Sequence, residues 1–463
     1  MRRTLVLNVV GLTEALLPHA PNLRHLAEAG GRRRIGGMLP AVTCSVQSTY
    51  LTGKTPAGHG AVANGWYFRD LSEIGFWRQS NRLVSGEKIW ETAKRINPAF
   101  TVAQLFWWYN MYSSADISVT PRPCYPADGR KIPDIYTYPP ELRQALQTAH
   151  GVFPLFRFWG PTADIESSRW IARSAAYVET HYRPTLSLVY LPHLDYDLQR
   201  LGPNHPDIPA AVAEVDMLCG ELIDRARQDG CAVVVLSEYG ITPVSGSVGI
   251  NRALRAAGWL AVREELGRDL LDAGASAAFA VADHQVAHVY VQREQDVAQV
   301  KALIESLPGV ERVLDAEGKR AAGLDHPNSG ELIAISAADR WFSYAWWQEH
   351  ARAPDYARTV DIHRKPGYDP LELFIDPALA APKLYIAMKL LRRKLGFRTL
   401  MDVIPLDESL VKGSHGRLPD DPVHGPVLLS SEPDCLPDGD SLPAVSVRDV
   451  LLAHLFGPGF SLP

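Results

Sequence analysis

Four apolar, β-branched runs recur along the chain: Thr4–Val10 (TLVLNVV), the run opening at Thr101 (TVAQLFWW), Thr185–Leu191 (TLSLVYL) and Cys231–Ser237 (CAVVVLS). Segments of helical periodicity separate them. Unbroken apolar runs of this kind suit strands covered on both faces, and their alternation with helices favours parallel connections. The spacing predicts a helix from about Asp207 to Gln228, which closes a strand–helix–strand crossover between the third and fourth runs. The expected fold class is α/β, a mostly parallel central sheet with helices on both faces. In such sheets functional residues gather at the carboxyl ends of the strands.

With 463 residues, 46% of them hydrophobic, the chain is long enough to bury a large core. We expect one α/β domain over residues 1–463 with two inserted segments. One, at about 67–182, is rich in proline and aromatics; the other, at about 251–339, carries strand and helix signals of its own. The 47 basic residues nearly balance the 52 acidic ones, a net charge of −5, so there is no global bias toward a nucleic-acid polymer or an anionic membrane. Five scattered cysteines, odd in number and without CxxC spacing, argue against a complete disulfide framework and for a reducing compartment. The N-terminal MRRTLVLNVV lacks a small-x-small cleavage site and reads as a first buried strand. No run approaches the roughly 18 to 20 apolar residues of a membrane-spanning helix. The expected location is cytoplasmic.

Met38–Tyr67 carries the densest chemistry. Thr43, Cys44 and Ser45 follow a strand-like lead-in and precede the apolar-periodic VQSTYLTG, so one of them should stand at a helix N-terminus. Backbone N–H groups there favour anions such as a phosphoryl group. The same residue types also serve as ordinary helix caps. Further along, Asp195 stands just past VYLP with His193, Asp197 and Gln199 close by, and carboxylate plus imidazole is a donor set that zinc-like ions prefer.

The ordered landmarks Pro40, Thr43, Thr52, Gly53, Pro56, His59, Gly60 and Asn64 resemble the nucleotide pyrophosphatase/phosphodiesterase branch of the alkaline phosphatase superfamily. That resemblance implies an alkaline-phosphatase-like core, a covalent nucleophile at Thr43 and an Asn64 that holds a non-bridging phosphate oxygen. GEKIW at 86–90 and LFWW at 105–108 look like further landmarks, and 251–339 resembles the family's cap. Gly202-Pro203 sets the register of a metal motif in which Asp195 takes the ligand Asp position and Gln199 that of a ligand His. KGSHGRLPDD at 412–421 resembles the segment that returns a late metal-binding His, here His415, with His424 the poorer choice.

The family binds two metals, and several positions for the second differ. The first strand ends in Val10-Gly11 in place of Asp-Gly, with Asn8 two residues earlier on the same face. VVVLSEYGIT carries Glu238 and Tyr239 where the family has Asp and His. Glu238 retains a carboxylate able to coordinate, and Tyr239 suits a hydrogen bond to substrate or water. In TVDIHRKPGYDP, Asp361 and His363 share a face if extended, either as replacement ligands or phosphate contacts or as a polar loop held by Pro366 and Gly367. WFSYAWW at 341–347 suits core or a pocket wall. APKLYIAMKLLRRKLGFR at 381–398 reads as a basic amphipathic helix on the surface, with membrane association as its alternative.

The function so implied is metal-dependent hydrolysis of a phosphodiester, pyrophosphate or phosphonate through a phospho-threonine intermediate. One or two divalent ions, zinc or manganese, would serve, and the partner is a small phosphorylated or phosphonate substrate. The alternatives are a degenerate relative that binds a phosphorylated metabolite without turnover, and a phosphotransferase.

Overall fold

The computed structural model describes residues 1–460. The four runs form the strands Thr4–Val9, Val102–Leu105, Leu186–Leu191 and Ala232–Leu236. They lie in a nine-stranded sheet ordered Ser441–Pro443, Gly31–Gly36, Val427–Ser430, Ala232–Leu236, Thr4–Val9, Leu186–Leu191, Val102–Leu105, Ile117–Pro121, Ile135–Tyr138. The middle, from Ala232–Leu236 to Ile117–Pro121, is parallel throughout. Antiparallel pairs flank it on either side, at Val427–Ser430 and Ile135–Tyr138.

The period-2 alternation of Thr4–Val9 shows how both faces are covered. Leu5, Leu7 and Val9 pack with the helices Pro21–Ala29, Ile165–His181 and Ile208–Gln228. Val6 points the other way, into the layer formed by Thr43–Thr52, Ile89–Ile96 and Val447–Phe456. Asn8 shares the Val6 face, near the carboxyl end of the central strand, and its amide therefore meets the site and not the apolar layer.

Residues 67–182 correct the expectation of a wholly inserted segment. They supply three strands of the main sheet, Val102–Leu105, Ile117–Pro121 and Ile135–Tyr138, and the long helix Ile165–His181. The strands are short and flanked by proline and aromatics, which masks their period. Residues 251–339 instead build a separate antiparallel sheet ordered Ala278–Asp283, Val286–Val291, Leu332–Ser336, Val310–Leu314. Phe279, Tyr290, Phe342, Trp346 and Trp347 fill its core, so the WFSYAWW run is packing and not pocket wall. This sheet is tied to the Met38–Tyr67 segment by His288, whose Nε2–H donates to the Val62 carbonyl at 3.1 Å.

Candidate active site

Thr43 is the first residue of the helix Thr43–Thr52, entered from an extended Val42 and closed by Gly53 at φ 66°. Every residue of the helix is buried, and two of its hydroxyls bond back along it: Ser48 Oγ donates to the Cys44 carbonyl and Thr52 Oγ1 to the Ser48 carbonyl, each at 2.7 Å. His59 braces the next turn. One ring nitrogen contacts Thr49 Oγ1 at 3.0 Å, the other accepts the Ala61 N–H at 3.1 Å, and burial pushes the imidazole pKa down to about 3. Gly60 follows at φ 79°, where a Cβ would lie 3.1 Å from the His326 ring. These landmarks thus shape the loop that presents Thr43 and Asn64.

Thr43 Oγ1 lies 3.1 Å from the Tyr239 hydroxyl. Asn64 is locked from two directions: its Oδ1 accepts the Cys44 N–H at 2.9 Å, while its backbone N–H and Nδ2 donate to the two oxygens of Asp283 at 2.8 and 3.2 Å. One Nδ2 hydrogen remains for a ligand.

Asp195 stands in the first turn of His193–Leu201, directly after the strand Leu186–Leu191. Its Oδ2 accepts from Gln199 Nε2 at 2.8 Å, and its Oδ1 lies 3.4 Å from the Tyr239 hydroxyl and 3.8 Å from His415 Nε2. Gln199 spends its other end on the Tyr368 hydroxyl, 2.8 Å from Oε1. Glu238 follows the strand Ala232–Leu236; its Oε1 accepts from Asn8 at 2.6 Å and Gln47 at 2.5 Å, and its Oε2 is buried without a partner. Asn8 therefore orients Glu238.

Four rings stack through the centre of the site. Tyr239 and His415 lie 3.6 Å apart, His415 and His284 3.7 Å, and His284 and Tyr368 3.5 Å between centroids. His284 and Asp283 were not singled out from the sequence. They occupy the tip of the hairpin joining Ala278–Asp283 to Val286–Val291, with His284 at φ 61°, a conformation uncommon for any residue with a Cβ. The hairpin tip is anchored by Gln285, whose N–H donates to the His415 carbonyl at 2.9 Å; Gly416 leaves room for it, since a Cβ there would lie 3.1 Å from that nitrogen. The readable signal was an Asp-His pair where two apolar runs, AFAVAD and VAHVYV, meet across a two-residue turn.

Burial sets the protonation of this cluster. Desolvation pushes Asp195 up to about 7, Glu238 to about 8 and Asp283 to about 6, and holds His284 and His415 well below the ordinary imidazole range. The Nε2 atoms of His284 and His415 have no partner, while their Nδ1 atoms are held by Asp283 at 2.7 Å and the Ala41 carbonyl at 2.7 Å. An imidazole fixed through one nitrogen with the other free is the usual arrangement behind a metal ligand. Among the described residues, no three His, Cys, Asp or Glu side chains converge as a ready cation cage. The chemistry of Asp195 Oδ1 and His415 Nε2, 3.8 Å apart, suits a divalent cation, and Glu238 Oε2 and His284 Nε2 are further donor atoms without a partner.

The other predicted residues lie around this centre. His193 is buried against Glu214 at 3.2 Å, and Asp197 pairs with Arg200. His424 is exposed on a short turn. Asp361 and His363 line the same cavity as Thr43, with the His363 ring 3.3 Å from the Phe76 carbonyl and the Asp361 N–H bonded to Glu372. That cavity, about 1510 Å³, has Thr43, Asp195, Tyr239, His284 and His415 on its floor and Trp77, Trp108, Trp159 and Tyr368 along its walls. Such a volume accommodates a substrate well beyond a single phosphoryl group.

Residues 4–369 match the family model described as type I phosphodiesterase / nucleotide pyrophosphatase. An uncharacterized pyrophosphatase/phosphodiesterase of Schizosaccharomyces pombe is 25% identical over 236 residues, which cover 49% of this chain and 41% of that protein. Murine ectonucleotide pyrophosphatase/phosphodiesterase 5, solved as an inactive variant with AMP, shares the fold at TM-score 0.59 and 13% identity, over 100% of this chain and 97% of that one. Phosphonoacetate hydrolase from Sinorhizobium meliloti, solved with phosphonoacetate, does so at TM-score 0.61 and 16% identity, over 98% and 96%. The helix-borne Thr43, the Asn64 lock and the ordered match over most of the chain lead to one conclusion: the chain belongs to the type I phosphodiesterase/nucleotide pyrophosphatase family.

Proposed function

We propose that the protein hydrolyses a phosphodiester, pyrophosphate or phosphonate through a covalent intermediate on Thr43. The observation that carries this reading is the Thr43 hydroxyl beside the Tyr239 hydroxyl on the floor of the cavity, at a helix N-terminus that the Asn64 amide braces through the Cys44 N–H. Thr43 Oγ attacks phosphorus, the P–O or P–C bond to the leaving group breaks, and the leaving group departs with a proton. Water then cleaves the phospho-threonine and restores the hydroxyl. Asn64 Nδ2 and the helix N–H groups hold the non-bridging oxygens where negative charge builds. Tyr239 positions the Thr43 hydroxyl and reaches Asp195. Asp195 and His415 would hold one zinc or manganese ion, which lowers the proton affinity of a nearby hydroxyl and offsets charge on phosphorus.

The named relatives point to a small ligand: one was solved with AMP and another with phosphonoacetate. Five free cysteines, three of them buried, suit a reducing compartment such as the cytoplasm. No helix among the described residues is long and apolar enough to cross a membrane.

The test is turnover of bis-p-nitrophenyl phosphate and p-nitrophenyl phenylphosphonate after zinc or manganese loading, with acid-quenched intact-mass analysis. Wild-type protein should turn over and show a phosphoryl adduct on Thr43, and Thr43→Ala should lose at least about a thousandfold in kcat. Undiminished activity in Thr43→Ala overturns the mechanism. A second reading rests on Gln199, whose amide is committed to Asp195 and Tyr368: a protein that binds a phosphorylated metabolite without turnover. Tight AMP binding with no hydrolysis under any metal would select it.

A further inference from the structure

The helix Pro382–Lys394 has no buried residue, although half its length is apolar. Its exposed apolar side chains form one stripe. Leu384, Met388, Leu391 and Leu395, spaced four, three and four residues apart, are 62, 52, 56 and 66% exposed. Spacing of that kind puts them on a single helix face. The opposite face, with Tyr385, Ile386, Lys389 and Arg393 half-buried, leans on the body: Lys389 pairs with Asp402 and Arg393 donates to the Thr399 carbonyl. Charge around the stripe has one sign. Residues 381–400 contain six lysines and arginines and no acid, in a chain whose net charge is −5. Lys383, Arg392 and Lys394 stand exposed beside the apolar stripe.

The stripe does not stand alone. The same helix borders the mouth of the active-site cavity, where Tyr125, Phe156, Leu390 and Phe397 are 57, 51, 53 and 60% exposed. An apolar helix face bordered by exposed cations matches the layering of a lipid surface, with acyl chains beneath anionic headgroups. An acidic protein partner would satisfy the cations and leave the large side chains of the rim in water.

We propose that this helix docks the protein on an anionic lipid bilayer through its exposed apolar stripe. Leu384, Met388, Leu391 and Leu395 enter the headgroup–acyl boundary, and Lys383, Arg392 and Lys394 contact anionic headgroups.

The test is flotation of the full chain with vesicles of phosphatidylcholine, alone or with about one-third phosphatidylglycerol. Protein should float with the anionic vesicles and not with phosphatidylcholine alone, and should be released by about 0.5 M NaCl. The variant Leu384→Ser/Met388→Ser/Leu391→Ser/Leu395→Ser and the variant Lys383→Glu/Arg392→Glu should each reduce flotation tenfold or more. Both should keep wild-type thermal unfolding, because every substituted side chain is exposed. The charge pair preserves the test if the serine variant misfolds. Absence of flotation, equal flotation on uncharged vesicles, or flotation that neither variant lowers overturns the proposal. So does light scattering that shows a dimer dissolved by the serine variant, since the stripe would then bind a second copy of the chain.

Discussion

The Tyr239 hydroxyl sits between the proposed nucleophile and the proposed metal ligand, 3.1 Å from Thr43 Oγ1 and 3.4 Å from Asp195 Oδ1. Its ring lies flat on His415. Removing the oxygen alone should leave the stack and disturb the hydroxyl's alignment. Tyr239→Phe is therefore expected to keep the fold and lower kcat about 10- to 100-fold with little change in KM, measured on bis-p-nitrophenyl phosphate. A KM effect without a kcat effect would assign Tyr239 to substrate binding instead.

At the scale of elements, a hairpin from a separate sheet completes a site that otherwise belongs to the main sheet. Asp283 holds Asn64 through two hydrogen bonds and His284 through a third. Groups that act as one unit are not additive when removed singly. Asn64→Ala and Asp283→Asn should each lower kcat/KM about tenfold or more, and the double variant should fall no further than the worse single one. Full additivity would show that Asp283 does not act through Asn64. The same sheet is clamped by His288, which donates to Val62 and accepts from the Gly330 N–H, and whose pKa burial lowers from 6.5 to about 4. The folded state therefore binds fewer protons than the unfolded state between those values, so stability contributed by His288 is complete above 6.5 and is lost as pH falls toward 4. The loss amounts to at most about 3 kcal/mol. Urea denaturation of wild type and His288→Gln should show the smaller acid loss in the variant, with lower stability for it near neutral pH. Parallel curves would rule out this linkage.

Across the whole molecule, segments distant in sequence meet at a buried charge cluster around Lys365. Its ammonium contacts Asp369 at 2.7 Å and Glu372 at 2.8 Å, all three side chains almost fully buried. Glu372 also accepts from the Trp159 indole at 2.6 Å and the Asp361 N–H at 2.8 Å. Nearby, the Tyr368 N–H reaches the Ala282 carbonyl of the separate sheet at 2.9 Å. Lys365→Met strands two buried carboxylates and is expected to cost about 3–5 kcal/mol, read from urea midpoints. An unchanged midpoint would mean that the triad does not hold these segments together.

Much of the fold was legible because its central strands are continuous apolar runs and its crossover helix keeps a clean period. Thr43, Asn64, Asp195 and His415 could be named as candidates because each lies in a short motif near a strand end or a helix start. Ile117–Pro121 and Ile135–Tyr138 were harder, since strands of four or five residues among prolines carry little periodicity. Asp283 and His284 were not found at all, because their role comes from a hairpin of one sheet reaching a strand end of another, more than two hundred residues from Asn64. The sequence by itself determined local matters: which runs become strands, where the helix that opens on Thr43 begins, and which residue types are offered at its start. Tertiary structure alone decided that Asn8 and Gln47 orient Glu238, that Gln199 serves Asp195 and Tyr368, and that a four-ring stack fills the centre. Those are contacts between groups distant along the chain, and no local period encodes them.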